Sequence, residues 1–250
     1  MSIEIKKCLT SLRSRHINGI FAETSGDAAS KAIKLIPPGS VVGLGDSSTV
    51  RGIGLLEMLE KRSNSVLNPF KSQPPGMAPE KASEYTDKLS RQATLCDIFL
   101  TGTNAVTQDG RLVNVDAVGN RVAGMFWGHP VSIIIVGRNK IVRDLDEAFD
   151  RIRNVIAPNH TFIKMAGFNG KDQKKPCVTT GRCGDCRSPD RACNIFTIIE
   201  SKPLRTVLNV IIVDEDLGLG WDPAWPEARI KQIIENHKKF VWKARFDVFK

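Results

Sequence analysis

Residues 97–137 constrain the fold more than any other stretch of this chain, because short apolar segments alternate there with turn residues. Segments of strand length, rich in aliphatic residues, occupy four places: 98–100, 112–115, 121–125 and 131–136. Each ends at a turn that contains glycine or aspartate. Strands this closely spaced need partners, so the stretch predicts a sheet whose turns, at residues 101–121, form a ligand-binding rim.

Helical and strand-like segments alternate through residues 1–156. The clearest amphipathic pattern covers 141–156 and predicts a helix that ends at Ala157 and Pro158. A later apolar run, at 207–214, predicts a buried strand. This alternation is typical of an α/β fold with a mostly parallel sheet covered by helices on both faces. We expect the strands of 98–136 to add antiparallel pairing within that sheet.

Composition limits the classes of protein to which the chain can belong. With 250 residues, of which 41% are hydrophobic and 25% charged, it can bury a core, and we expect one domain over 1–250. Its apolar runs are far shorter than the roughly 20 residues that span a bilayer, so we expect a cytoplasmic protein without a membrane span. The net charge of +9 is interspersed and only 6% of residues are aromatic, which argues against nucleic acid as a partner.

The sequence GLGDSST, at 43–49, joins a short strand to a helix. Gly43 and Gly45 would let the backbone approach an anion, and the hydroxyls of Ser47, Ser48 and Thr49 would add hydrogen bonds. This turn therefore predicts a site for the phosphate or carboxylate of a small anionic metabolite. A tight strand-to-helix turn with no ligand is the alternative interpretation.

The binding rim supplies further candidate ligand contacts: Thr101, Gly102, Asn104, Asn114, Asn120 and Arg121. Their amide and guanidinium groups suit a carboxylate or phosphate oxygen, although satisfying buried carbonyls at strand ends is the alternative role. Asp109 and Asp116 are the carboxylates of the rim and hence the candidate catalytic acid or base. Both also stand where turns favour aspartate.

A loop at 171–194 interrupts the α/β pattern and holds Cys177, Cys183, Cys186 and Cys193 in a C-x5-C-x2-C-x6-C spacing. Four thiolates on a short loop could hold zinc or an iron–sulfur cluster, and six Lys or Arg residues of the loop would offset their charge. Two other interpretations stay open: a redox-active pair at Cys183 and Cys186, or a loop whose cysteines are simply reduced.

Several ordered motifs, among them VVGLGDSSTVRGIGLLEML, FLTGTNAVTQDGRLVNVDAVGNRVAGM and VGRNKIVRDLDEAFDRI, resemble the LUD domain of lactate-utilisation proteins. The resemblance covers about residues 1–160 and continues in part through RTVLNVIIVDEDLGLGWDP. It implies a fold of the ribose-5-phosphate isomerase, glucosamine-phosphate deaminase and CoA-transferase superfamily (NagB/RpiA/CoA-transferase-like). It also implies a role near the oxidation of lactate to pyruvate, alongside iron–sulfur redox partner proteins.

The same resemblance allows us to ask whether this chain has the catalytic carboxylates of the isomerases in that superfamily. GLGDSST is similar to the phosphate-gripping loop of pentose-phosphate isomerases, but Thr101, Asn104 and Ala105 stand where those enzymes place carboxylates. An amide cannot abstract a proton next to a carbonyl. We therefore favour a protein of organic-acid utilisation that binds a small anion. A sugar-phosphate isomerase or CoA-transferase-like enzyme, and a noncatalytic ligand sensor or assembly subunit, are the alternatives.

Overall fold

Apolar, β-branched segments of the chain form ten strands in the computed structural model, which describes residues 1–71, 77–165 and 175–242. In chain order the strands are β1 (Asn18–Ala22), β2 (Val41–Leu44), β3 (Ser65–Leu67), β4 (Ile98–Gly102), β5 (Ala105–Thr107), β6 (Leu112–Asp116), β7 (Val131–Gly137), β8 (Ile141–Val142), β9 (Ile195–Ile199) and β10 (Val207–Val213). Six of them form a parallel sheet in the order β1-β10-β7-β4-β2-β3. The other four form a second sheet in the order β8-β5-β6-β9, in which β6 runs antiparallel to β5 and β9.

Helices cover the parallel sheet because its strands are apolar on both faces. In chain order they are α1 (Ile3–Ser14), α2 (Ser25–Leu35), α3 (Ser48–Gly52), α4 (Leu55–Glu60), α5 (Pro79–Thr94), α6 (Asn120–Phe126), α7 (Leu145–Arg151), α8 (Ala157–Met165), α9 (Pro176–Thr180) and α10 (Glu227–Phe240). A 3-10 turn at Arg138–Lys140 follows β7. None of the helices in the described ranges is long and apolar enough to cross a bilayer.

Alternate residues of β10 show how the core is divided. Ile211 and Val213 pack on one side with the alanines of α2 and the leucines of α4, while Val210 and Ile212 pack on the other side with α1 and α6. This period of two is what a strand buried on both faces requires. The predicted α/β fold, with a mostly parallel sheet covered by helices on both faces, is confirmed. The strand predicted at 207–214 is also confirmed, as the buried strand β10.

The strand predicted at 121–125 is wrong, because these residues lie in α6. Asp116 accepts hydrogen bonds from the backbone N–H groups of Val118, Gly119 and Val122, which lie just before and within the first turn of this helix. Val122 and Met125 then bury one helical face at a spacing of three residues. The antiparallel pairing is also placed differently, since β5 and β6 belong to the second sheet rather than to the parallel one.

The helix predicted over 141–156 is correct only in its centre. Ile141 and Val142 form β8, and α7 then passes through a π-helical segment, Ile152–Ile156, into α8. The Ala157 N–H donates to the Ile152 carbonyl, five residues back. Pro158, which has no N–H to donate, sits in the first turn of α8 directly after this wider turn, so the helix continues where a stop was predicted.

The cysteine loop lies between α8 and β9, as an insertion between elements of the α/β fold. Its residues 171–174 lie outside the described ranges. From residue 175 onward it contains α9 and then an irregular segment that reaches β9. The Asn194 N–H donates to the Asp116 carbonyl at 3.0 Å, which fixes the end of the loop beside the end of β6.

Candidate functional site

A cavity of about 380 Å³ lies at the carboxyl ends of the central strands. The loops after β2, β4 and β7 contribute Ser47, Thr103 and Lys140 to its wall, and α8 and α10 close the other side. Parallel α/β sheets bind their ligands at this edge, and a volume of roughly 300–1,000 Å³ suits a small molecule. The geometry therefore makes this cavity the candidate site.

Six basic and four acidic side chains line the cavity: Arg51, Arg121, Lys140, Lys164, Lys175 and Arg191, with Asp46, Asp87, Asp116 and Asp190. Five of the basic side chains form ion pairs with aspartates. Within the described residues Lys140 forms none. The wall thus carries an excess of positive charge, and Lys140 is the basic side chain in its described part that has no carboxylate partner.

Lys140 is buried, with 7% of its surface exposed. Its ammonium donates to the Thr49 hydroxyl and to the Thr103 carbonyl, at 3.0 Å in each case. An ammonium has three N–H donors, so one has no partner among the described residues. Burial, and then the charge of Arg121, lower the pKa of Lys140 to about 7. Near neutral pH the amine is therefore only partly protonated, and a bound anion would stabilise its charged form.

The loop 217–220 shapes the space around Lys140. Asn139 donates to the carbonyls of Gly218 and Gly220, at 3.2 and 2.9 Å, and so holds this loop against the end of β7. Gly218 has a φ of +68°, and a Cβ there would lie 2.7 Å from the Thr49 hydroxyl and 2.9 Å from Lys140 Nζ. Only glycine fits this position without displacing the lysine or its partner.

Asp46 lies opposite, in an ion pair with Arg51 at 2.7 Å and with Lys164 at 3.3 Å. Burial disfavours its charged form, but the charges of Lys164 and Arg51 outweigh burial and lower the pKa of Asp46 to about 2. The carboxylate is therefore ionised at neutral pH and offsets one of these two positive charges. These two cations differ from Lys140 in that both already have a carboxylate partner.

Two histidines meet in the cavity wall. His160 Nδ1 lies 3.3 Å from His237 Nε2, and His237 Nδ1 lies 2.9 Å from the Ser48 hydroxyl. Burial is the main cause that lowers both pKa values, to about 4 for His160 and about 2 for His237. Both imidazoles are therefore neutral at pH 7 and form a polar, uncharged part of the site.

Arg121, a predicted ligand contact, has its donors occupied by the protein itself. The partners of its guanidinium are the side-chain oxygens of Asn114 and Asn104, the carbonyls of Gly102 and Val115, and the carboxylate of Asp116. Of the five N–H donors of a guanidinium, four are used in these hydrogen bonds and the fifth, at Nε, faces the Asp116 carboxylate at 3.5 Å. Arg121 lines the cavity, yet its contacts organise the binding rim.

The two candidate catalytic aspartates lie in different places. Asp116 lines the cavity, but its carboxylate caps α6 and pairs with Arg121 Nε at 3.5 Å. Asp109 lies in the turn between β5 and β6, away from the cavity, and pairs on the surface with Arg111 at 2.6 Å and Arg15 at 3.4 Å. The structure does not bring these two carboxylates together. A catalytic role for either stays a prediction.

Only some residues of the turn predicted to bind an anion line the cavity in the structure. Ser47 and Ser48 line the cavity, while Thr49 contacts it only through Lys140. A Cβ on Gly43 would lie 1.9 Å from the Ala93 carbonyl, and one on Gly45 would meet Arg121 and Thr101 at 2.8 Å each. These two glycines therefore permit close packing of α5 and the binding rim, and ligand contacts by them stay predictions.

The remaining residues of the binding rim differ in whether they reach the cavity and in whether their hydrogen-bonding groups are already used. Gly102, Asn104 and Asn120 line the cavity, whereas Thr101 and Asn114 are fully buried behind it. Asn104 accepts from Val115 N–H and from Arg121. The Asn120 amide has no hydrogen-bond partner in the described ranges, so it is the rim side chain best able to contact a ligand.

All four cysteines of the loop line a second, smaller cavity of about 30 Å³ against α8. They are free thiols, each partly buried. Burial raises the pKa of Cys193 to about 11 and raises that of Cys177. The two cavities share wall residues, including Ala157, Ala192 and Cys193.

Sequence reasoning missed Lys140, His160 and His237 as site residues. Lys140 could have been found, because it follows the most apolar strand of the chain at the edge where parallel sheets bind ligands. The histidines carry no such signal, since 77 positions separate them. His129, the histidine of a turn, is buried in the protein, where Nε2 lies 2.7 Å from the Ser132 hydroxyl.

Comparison with known proteins gives one family. The LUD domain model matches residues 5–213. Among solved structures, the chain is similar to the crystal structure of a DUF162 family protein from Deinococcus radiodurans, with 13% identity, coverage of 84% of this chain and 96% of that chain, and a TM-score of 0.46. No curated protein matches the chain.

Proposed function

The chain belongs to the LUD domain family, as its motifs predicted, and on that basis we propose that it is a lactate-utilisation-type protein whose large cavity binds the carboxylate of a small organic acid. Lys140 carries this proposal. It is a buried cation at the carboxyl edge of the sheet, it forms no ion pair within the described residues, and one of its donors is unused. A carboxylate supplies both the missing charge and the missing acceptor.

The surroundings of Lys140 support a ligand that is small and partly polar. The volume of about 380 Å³ exceeds what a lactate or pyruvate ion needs, so water or a larger acid would occupy the rest. Asn120 adds an amide without a partner in the described ranges, and the neutral histidines can accept or donate without repelling an anion. Phosphate is the second anion that this chemistry would accept.

The isomerase or CoA-transferase-like alternative has less support. Proton abstraction needs a carboxylate that is free to accept a proton in the cavity. Three of the four carboxylates that line the cavity are already used: Asp116 caps a helix, Asp46 pairs with Arg51 and Lys164, and Asp190 pairs with Lys175. The fourth, Asp87, is exposed to solvent, and Asp109 lies elsewhere. Association with iron–sulfur partner proteins stays a prediction from the family resemblance.

Titration calorimetry with L-lactate, D-lactate, pyruvate and inorganic phosphate tests the proposal. We expect at least one organic acid to bind more tightly than phosphate at pH 7. Lys140→Met should weaken that binding about tenfold to 100-fold, the effect of losing one charge-assisted hydrogen bond. Lys7→Met is the matched control, because Lys7 is exposed and, among the described residues, hydrogen-bonds only to Gln108.

Equal affinity of Lys140→Met and the unchanged protein for the acid would contradict the proposal. So would the absence of binding by all three acids together with tight phosphate binding, which would favour the sugar-phosphate alternative. Binding of an acid without any turnover, in the presence of an electron acceptor, would instead support the noncatalytic sensor within the same site.

A further inference from the structure

The cysteines of the loop converge although they are spread over 17 residues. Cys177 lies in α9, Cys183 and Cys186 lie in the irregular segment, and Cys193 comes shortly before β9. All four nevertheless line the same cavity of about 30 Å³. Reduced cysteines with no common function have no reason to gather around one space on a polar loop.

The size of this cavity distinguishes between metal centres. A space that admits a water-sized sphere keeps the sulfur atoms roughly 3 Å or more from its centre, by the radii of water and sulfur. Tetrahedral zinc needs sulfur at about 2.3 Å from the ion. In agreement, no three His, Cys, Asp or Glu side chains of the described ranges are grouped so that they could hold one metal ion. A cubane cluster differs, because each thiolate binds a different iron at the corner of a larger core.

The charges around the cavity suit an anionic cluster. Arg153, Lys175 and Arg191 line it together with the cysteines. Asp185 and Asp190 pair with Arg191 and Lys175, at 2.9 and 2.6 Å. Arg153 has no ion pair among the residues that the structure describes and lies over the Phe196 ring at 5.4 Å. A [4Fe–4S] core with four thiolates carries a net negative charge, which this arginine would offset.

Arg191 also fixes the backbone that carries the ligands. Its guanidinium donates to the carbonyls of Cys186 and Cys193, at 2.6 and 3.0 Å. One side chain thus holds two of the four cysteine positions at a constant separation. This is the outer support that a preorganised metal centre needs.

We propose that Cys177, Cys183, Cys186 and Cys193 bind a [4Fe–4S] cluster in the small cavity. Each thiol loses its proton to solvent and binds one iron, and two ferrous ions, two ferric ions and four sulfides make up the oxidised core. The cluster would share the wall formed by Ala157, Ala192 and Cys193 with the large cavity. This inference does not depend on which anion the large cavity binds.

Anaerobic reconstitution of the 250-residue chain with equal amounts of ferrous and ferric iron and with sulfide tests the inference. We expect about four iron atoms and four acid-labile sulfides per chain, and a broad sulfide-to-iron absorption in the visible spectrum that dithionite bleaches. Cys183→Ser and the double variant Cys183→Ser/Cys186→Ser should lose most of the iron and the absorption. Cys96→Ala is the matched control, because Cys96 is buried in the core away from the loop and should retain both.

Pyruvate binding by the variants, measured without metal, checks that they are folded. A variant that binds pyruvate as the unchanged protein does but holds no cluster supports the inference. Two results would overturn it: one zinc ion per chain, bound in competition with iron and without sulfide, or an iron content that is the same in the Cys183→Ser/Cys186→Ser variant. If the unchanged protein itself binds no pyruvate, the far-ultraviolet circular dichroism spectrum replaces this check, so the two proposals fail separately.

Discussion

Two basic side chains that line the large cavity, Arg121 and Lys140, differ in how far the protein itself satisfies them. Arg121, in the binding rim, donates four hydrogen bonds to protein acceptors and pairs through Nε with Asp116. Lys140 uses two of its three donors and pairs with no carboxylate in the described ranges. A buried charge therefore does not by itself mark a ligand site. The unused donor and the uncompensated charge do so.

The comparison predicts that Arg121 contributes chiefly to stability. Arg121→Met would leave the Asp116 carboxylate and the amide oxygens of Asn104 and Asn114 without their partner, a loss of about 3–5 kcal/mol in the free energy of unfolding. Urea denaturation measures this change. Arg143→Met is the control, because the Arg143 side chain is 72% exposed and its ion pairs contribute little. An Arg121 variant that kept its stability but lost ligand binding would contradict the claim that Arg121 contributes chiefly to stability.

A smaller loss of stability is expected from a substitution in the loop 217–220, which borders Lys140. Gly218→Ala forces a left-handed backbone on alanine and places its Cβ 2.9 Å from Lys140 Nζ. Gly39 has a φ of +79° and nothing within 4 Å of such a Cβ, so Gly39→Ala shares the backbone strain without the collision. We expect thermal unfolding to show a loss of roughly 1–3 kcal/mol for both variants, greater for Gly218→Ala.

Pyruvate titration separates the two glycine variants more clearly than stability does. Gly218→Ala should weaken binding about tenfold, because a displaced ammonium loses one hydrogen bond to the ligand. Gly39→Ala should bind like the unchanged protein. Equal affinities of the two variants would mean that the position of Lys140 does not determine binding.

The parallel sheet could be predicted because its signals are local. Apolar runs such as β7 and β10 are buried on both faces, and this is visible in the sequence itself. The segment 121–125 was assigned wrongly because Val122 and Met125 satisfy a helical face as well as a strand, and the cap that decides between them comes from Asp116. The helix end predicted at Pro158 was wrong for a similar reason, because a π-helical turn just before the proline lets the helix continue.

Residues of the candidate site could be predicted only where they lie close together in the sequence. Ser47 and Ser48 follow the glycine turn and do line the cavity. Lys140 meets Thr49 across 91 positions, and His237 meets Ser48 across 189. Contacts that distant leave no spacing in the sequence. The cysteine loop is the opposite case, because its four ligand candidates lie within 17 residues and converge in the structure as well.

The most direct test of the account measures proton uptake when pyruvate binds. The pKa of Lys140 is about 7 without a ligand, and a bound carboxylate raises it, so the protein should take up close to one proton per pyruvate at pH 8 and almost none below pH 6. His160 and His237, with pKa values of about 4 and 2, stay neutral over this range. Calorimetry in buffers of different ionisation enthalpy directly gives the number of protons taken up per pyruvate bound. The account predicts that the uptake disappears in Lys140→Met and that affinity falls above pH 7 in the unchanged protein; pyruvate binding at pH 8 with no proton uptake would contradict it.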